Sequence, residues 1–410
     1  MVTKRAPILI VGGGIGGLTA ALAIGRKGWP VKVLEEAPEF GAIGYGIQLG
    51  PNVFHMFDRL GISQAVLKKA IVPNAVTMLD SVDGSVIMRI PTGASFEQRF
   101  KYPYVVLHRV DLHQVLLEAC KAVDTIELVS TTKVTGFEDN GDKVRLLTNN
   151  NAIEGTAVIA ADGLRSVIRR QLLTEGQPRM VGYVAHRTII PMDQLKAEVR
   201  RDESVLWSGP GFHLVHYPLR DFTLFNIVAV FRTSTYAERG DIASYRAEID
   251  HTYRDSHPTM KALLAMMDID RRWAISDRDP IRHWSAGRVV LLGDAAHPTL
   301  QSLAQGACMA IEDAVCLAAL ADQAQGDFPA AFHQYSAARY VRTARVQYES
   351  RFMWDHLYHV DGIARDVMRA SYAGKSNDDL YNCLAWLYDG ITLPKMQADR
   401  ILQDEPCPPA

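Results

Sequence analysis

The sequence predicts an α/β protein: a Rossmann-like domain on a parallel sheet, a mixed-sheet domain inserted into it, and a helical C-terminal region. Two observations carry this. Short apolar runs end three times in a glycine turn followed by a helical stretch, near residues 7–17, 157–169 and 287–314. The segments between those turns are rich in β-branched and aromatic residues with strand character.

The first run, "APILIV", is continuous enough to be a strand covered on both faces, and Gly12, Gly14 and Gly17 follow it in GxGxxG spacing. A helical stretch then runs to Lys27. Glycines there permit a tight turn, close approach of backbone to a diphosphate and close helix-on-strand packing, while the helix start offers free N–H groups to the anion. The next strand, "VKVLEE", delivers Glu35 and Glu36 to its end. A carboxylate there accepts hydrogen bonds from an adenosine ribose and repels a phosphorylated one; Glu35 is the candidate of the two.

Residues 157–169, "AVIAADGLRSVIR", repeat the pattern with the turn Asp162-Gly163 and a helix carrying Arg165 and Arg169. "GRVVLLGDAAHP" repeats it again with Gly293-Asp294. One such pair is ordinarily a plain strand-to-helix turn, because aspartate caps helices and glycine accepts positive φ. Three in fixed order are harder to dismiss as plain turns.

Composition narrows its class. A chain of 410 residues, 48% hydrophobic, can form two or more packed units. Its 44 basic and 46 acidic side chains give a net charge of −2 with no basic run, so nothing favours nucleic acid. Five cysteines, Cys120, Cys308, Cys316, Cys383 and Cys407, form no CxxC pair, which fits reduced thiols in a cytoplasm. "KRAPILIV" is broken by three glycines and reads as a strand, not a signal peptide. No apolar run reaches membrane-spanning length, and no HExxH, paired cysteines or dense histidine cluster marks a metal site.

In these features the sequence resembles the single-component, flavin-dependent aromatic hydroxylases that share the fold of para-hydroxybenzoate hydroxylase. Over roughly the first 350 residues it has that family's GxGxxG turn, its central DG turn and its GD turn. The resemblance implies bound FAD. It places Asp162 and Gly163 near flavin and nicotinamide, Gly293 and Asp294 at the ribityl chain, and Arg109, in "HRVDL", near the flavin phosphates. The helix after "GDAAHP", starting near "LAQGACMAIEDA", would aim its amino terminus at the flavin's pyrimidine edge, with Gly306 allowing close approach. With a single glycine fingerprint there is no separate nicotinamide domain, so NADH is expected as a transient co-substrate. The loop 40–52, with four glycines, resembles the family's mobile flavin loop; a plain surface turn is the other reading.

The domain expectation follows: residues 1–75, 105–180 and 276–345 form a discontinuous FAD-binding domain, and 76–104 with 181–275 a substrate-binding domain. Residues 76–106 are read as alternating short strands. Residues 346–410 form a helical region with a disordered tail, "DEPCPPA". Helical apolar spacing over 330–400, including Trp354, Tyr358 and Trp386, is read as core packing or the contact of a homodimer.

For the reacting ring the candidates lie in "FHLVHYPL" and just past the third turn. His213 and Tyr217 are four apart, so on a strand they share a face that His216 does not. A histidine on a strand is ordinarily a structural hydrogen-bonder. The pattern is nevertheless similar to the 3-hydroxybenzoate 6-hydroxylases, as are "MWDHLYHVDGIA" and "LAWLYDGI". That resemblance implies that His213 and Gln301 promote deprotonation of the substrate hydroxyl and that Tyr217 lines the pocket. It implies NADH and O2 as co-substrates, a flavin C4a-hydroperoxide, and conversion of 3-hydroxybenzoate, a small aromatic acid, to 2,5-dihydroxybenzoate (gentisate). Tyr217 or Tyr104 could meet the carboxylate, packing being the other role for Tyr104; His297 either approaches the flavin or stabilises its turn. Two alternatives stand beside this: a decarboxylating hydroxylase of salicylate or 6-hydroxynicotinate, and a flavin-binding sensor without turnover.

Overall fold

The computed structural model describes residues 5–41, 44–196, 199, 202–233 and 242–395. The tail expected to be disordered lies outside the described residues.

The apolar runs assemble into one six-stranded sheet in the order Ser285–Ala286, Val289–Leu291, Ala157–Ala160, Ile8–Val11, Val31–Leu34, Ile126–Val129. Its strands are parallel except Ser285–Ala286. Val289–Leu291, Ala157–Ala160 and Ile8–Val11, in the middle of the sheet, are buried along their whole length and need no alternation, which is why they read as unbroken hydrophobic segments. The helix Ile15–Gly25 follows the first strand and packs against the long helix Gly306–Gln323.

Three neighbouring strands, Val289–Leu291, Ala157–Ala160 and Ile8–Val11, are the ones that lead into the three glycine turns. Being parallel and adjacent, they release their turns side by side at the carboxyl edge of the sheet, where open α/β sheets bind ligands. Sequence separation of nearly three hundred residues thus becomes spatial adjacency.

A second sheet has seven strands in the order Trp273–Asp277, Arg179–Pro191, Leu224–Arg232, Phe212–Leu219, Ser204–Gly209, Ala75–Asp80, Val86–Pro91. It is mixed, because Ser204–Gly209 pairs parallel with Ala75–Asp80 while the other pairings are antiparallel. One face covers a core of its own around Trp207, Phe225 and Phe231. The other face carries His213, Val215 and Tyr217 beside Val228 and Arg187.

The reading of 76–106 as strands alone is incomplete, since Ala94–Phe100 is a helix that buries Phe96 and Phe100 against Tyr381 and Tyr388. Within the glycine-rich stretch 40–52, Gly46–Leu49 is a strand paired with Val105–His108; residues 42 and 43 lie outside the described residues. After Gly306–Gln323 come the helix Phe328–Met353, a π-turn at Trp354–Tyr358, and the helices Gly362–Tyr372 and Asn377–Tyr388. No helix among the described residues is long and apolar enough to cross a membrane.

Candidate active site

A cleft of about 1100 Å³ runs from the first glycine turn to the inner face of the seven-stranded sheet. Gly12, Gly14, Glu35, Arg109, Asp162, Gly163, Gly293, Asp294, His213, Tyr217 and Gln301 all line it. Gly17 does not; it packs inside.

Each glycine turn has a local cause. Gly12 adopts φ +98°, and a Cβ on Gly17 would lie 1.9 Å from the Gly12 carbonyl oxygen, so both positions exclude side chains. Gly14, which precedes the helix Ile15–Gly25, has nothing within 4 Å of a Cβ position, leaving open space before the helix amino terminus. Glu35 accepts hydrogen bonds from the Gly13 N–H (2.7 Å) and the Ala37 N–H (2.9 Å), and each oxygen keeps a further lone pair. Glu36 forms only a loose exposed ion pair with Lys133 at 4.0 Å.

At the central turn, Asp162 Oδ2 accepts from the Val167 N–H at 2.8 Å, whereas Oδ1 is enclosed without a partner among the described residues. Burial raises this carboxyl above its ordinary value. Gly163 has φ +76° with open space around it. Arg169, 1% exposed, ties this turn to the third by donating to the carbonyls of Ala295 (3.0 Å) and Ala296 (2.6 Å). Asp294 is exposed to the cleft beside the amino terminus of Gly306–Gln323. His297 turns away from the cleft: it is buried on Asp313 at 2.5 Å, which assigns it to stabilising the turn.

These features fit an extended dinucleotide. An unoccluded glycine turn at one helix amino terminus, a second helix amino terminus, an orphaned carboxylate oxygen and an exposed carboxylate lie along one continuous wall.

The other end of the cleft gathers the remaining candidates. His213, 1% exposed, faces His359 through Nδ1 (2.8 Å to His359 Nε2), and its Nε2 accepts from Gln301 Nε2 at 3.5 Å. Gln301 Oε1 accepts from Arg187 Nη2 at 3.0 Å. Tyr104 donates its hydroxyl to Gln48 Oε1, and Tyr217 also hydrogen-bonds the Gln48 side chain. Gly46 sits flat on the Tyr217 ring, where a Cβ would lie 2.4 Å from Cε2. Val215, Val228, Leu206, Met78 and Met88 supply apolar walls. His216 points to the opposite face and accepts from Trp207 Nε1 at 3.1 Å.

Burial sets the electrostatics. Burial pushes His213 well below 6.5, with His359 adding to the effect, and takes His359 down to about 3. Burial likewise pushes the Tyr104 and Tyr217 hydroxyls up, so both stay protonated. Arg187 is lowered by burial; among the described residues no carboxylate pairs with it, and its Nε has no hydrogen-bond partner.

The structure therefore brings His213, Gln301 and Tyr217 to one pocket. Sequence reasoning missed Gln48, Arg187 and His359. Arg187 lies on an unremarked strand, and only its place on the inner face, opposite Val228, selects it. His359 was visible as the second histidine of "MWDHLYHVDG", but its pairing with a residue 146 positions earlier was not.

The family described as FAD binding domain matches residues 5–350. A 3-hydroxybenzoate 6-hydroxylase of Polaromonas naphthalenivorans (strain CJ2) is 42% identical over 93% of this chain and 95% of its own length. A 3-hydroxybenzoate 6-hydroxylase of Klebsiella oxytoca is 38% identical over 93% and 96%. Among solved structures, Klebsiella pneumoniae HpxO complexed with FAD and uric acid superposes with TM-score 0.82 at 26% identity, covering 93% of this chain and 97% of that one.

Proposed function

Since the chain belongs to the FAD binding domain family and is a FAD-dependent aromatic-ring monooxygenase, we propose that it hydroxylates 3-hydroxybenzoate para to its hydroxyl, consuming NADH and O2 and releasing gentisate. The observation that carries this is the convergence of a neutral His213, Gln301 and Tyr217 on one apolar pocket at the end of the dinucleotide cleft.

Bound FAD, reduced by NADH, supplies the activated oxygen. The chain's residues do the rest. Gly12 and Gly14 cradle the diphosphate with Arg109 alongside, Gly17 keeps helix and turn in contact, and Glu35 takes the adenosine ribose. Asp294, with Gly293, takes the ribityl chain, and Asp162-Gly163 lies where flavin and nicotinamide meet. His213 Nε2 accepts the phenolic proton, and the phenolate oxygen's electron density activates the para carbon. Apolar walls exclude water. The substrate carboxylate goes to Arg187, a buried cation whose Nε is unsatisfied, because an uncompensated buried guanidinium is costly and an entering anion relieves it. Arg187→Met is expected to raise KM for the acid about 10- to 100-fold, as loss of a charge-assisted hydrogen bond of about 1.5–3 kcal/mol implies; steady-state kinetics checks it.

Product analysis tests the whole reading. Incubation with 3-hydroxybenzoate, NADH and O2 should yield gentisate with the carboxyl carbon retained. Release of carbon dioxide from salicylate or 6-hydroxynicotinate instead would favour the decarboxylating alternative; stable flavin with no acid-stimulated NADH oxidation would favour a sensor. His213→Ala should lower hydroxylation and raise peroxide release while flavin reduction continues. The unpaired thiols Cys120, Cys308 and Cys316 support a cytoplasmic setting. A homodimer is supported by Val341 and Tyr348, exposed one heptad apart on Phe328–Met353; Tyr348→Glu should then reduce the mass seen by light scattering.

A further inference from the structure

The polar side chains at the pocket form a chain whose direction is dictated by chemistry alone. A guanidinium has only donors, so the Gln301 atom facing Arg187 Nη2 must be the carbonyl oxygen. The other end of that amide, Nε2, also has only donors, so His213 Nε2 must present its lone pair to it. A neutral imidazole with a bare Nε2 carries its proton on Nδ1, which then donates across 2.8 Å to His359 Nε2. His359 in turn must hold its own proton on Nδ1. That Nδ1–H is enclosed without a hydrogen-bond partner among the described residues, while the Trp354 carbonyl favours a proton on the ring.

Resting on the function proposed above, we infer that His359 is a positioning residue. By accepting from His213 Nδ1 it holds His213 in the tautomer that points a lone pair at the substrate hydroxyl. When the phenolic O–H breaks, the proton joins His213 Nε2, the electron pair stays on the phenolate oxygen, and the imidazolium gains a stronger hydrogen bond to His359. At 3.5 Å the Gln301 contact is long, so a substrate hydroxyl can displace it at small cost.

His359 is built in from several sides. Tyr183 stacks on it with centroids 4.6 Å apart, Trp354 meets it edge-on at 4.7 Å, and the π-turn Trp354–Tyr358 delivers it. Tyr358 also faces His213, at 5.1 Å between centroids. Among the described residues, the charged or titratable groups around the pair include Arg187 through Gln301, Tyr183 and Tyr358, with Arg232 and Asp355 acting on Tyr183. A π-turn places one residue more per turn than an α-helix, and such bulges recur at functional sites.

Two substitutions separate positioning from packing. His359→Gln keeps an acceptor near the Nε2 position; His359→Asn is nearer Nδ1 and loses the contact with His213. In FAD-loaded enzyme with 3-hydroxybenzoate, the ultraviolet band of bound phenolate should appear in wild type and His359→Gln well below the free phenol's pKa. In His359→Asn the pH at which it forms should rise by at least one unit, kcat should fall about tenfold and KM should change less than threefold. Equal phenolate profiles in all three proteins, or equal losses in both variants, would overturn the inference.

A substrate-free readout stands apart from the function. Nitrogen-15 histidine spectra of the holoenzyme should assign His213 the Nδ1–H tautomer in wild type and His359→Gln, and a tautomer mixture in His359→Asn. An Nε2–H tautomer in wild type would defeat the inference even if gentisate forms. Failure to hydroxylate 3-hydroxybenzoate, with the Nδ1–H tautomer present, would defeat the functional reading alone.

Discussion

Burial holds His359 neutral, with its pKa pushed down to about 3, against an ordinary value of 6.5. Folded His359 therefore binds a proton less readily than unfolded His359, and the stabilisation is fully present above pH 6.5 and lost as pH falls toward the folded value. At pH 5 this amounts to about 2 kcal/mol, from 1.36 kcal/mol per unit. Urea unfolding at pH 7.5 and pH 5 should show His359→Gln losing less stability on acidification than wild type; an equal loss would mean the ring is hydrated. Gly17 makes a steric prediction at the same scale. With 1.9 Å between a new Cβ and the Gly12 oxygen, Gly17→Ala must part helix from turn, costing about 3 kcal/mol. Thermal unfolding and FAD absorbance per chain measure it.

Among elements, the pairing of Gly306–Gln323 with Phe328–Met353 explains how a helix can present a cleft-facing amino terminus without drifting. Four buried or half-buried charges lock the two helices. Arg339 donates to Asp313 at 2.7 Å and pairs with Glu312 at 2.9 Å, while Arg342 pairs with Glu312 at 2.7 Å. Burial alone would raise the Asp313 carboxyl, but His297 and Arg339 take it down to about 2. Asp313 also accepts from the Gly293 N–H at 3.2 Å, so the lock reaches the third glycine turn directly. Asp313→Ala leaves Arg339 short of a partner and frees His297. A loss of about 3–5 kcal/mol is expected, as for breaking a buried ion pair, with weaker FAD retention measured by gel filtration. The sequence showed an acidic pair in "MAIEDA" but not its partners, because helix-to-helix register is a tertiary property.

For the whole molecule, one cleft is walled by residues from position 11 to position 388. A ligand spanning it links segments far apart in the sequence, and binding to the native state alone stabilises by about 2.7 kcal/mol at a hundredfold excess over Kd. Removing FAD should therefore lower Tm, and re-adding it should restore the value in step with FAD concentration; a Tm indifferent to FAD would mean that the cleft does not bind it. The fold class, the three turns and a dinucleotide site were legible because strand hydrophobicity, glycine conformation and carboxylate placement are local properties written into short stretches; that the dinucleotide is FAD came from the family resemblance those turns carry. Period-two alternation also put His213 and Tyr217 on one face and His216 on the other. What only the tertiary structure decided is the pocket's wiring: Gln48 under two tyrosine hydroxyls, Arg187 behind Gln301 and His359 behind His213. Those contacts join residues 56 to 169 positions apart, and their distances depend on how two sheets and a π-turn meet, which no local pattern encodes.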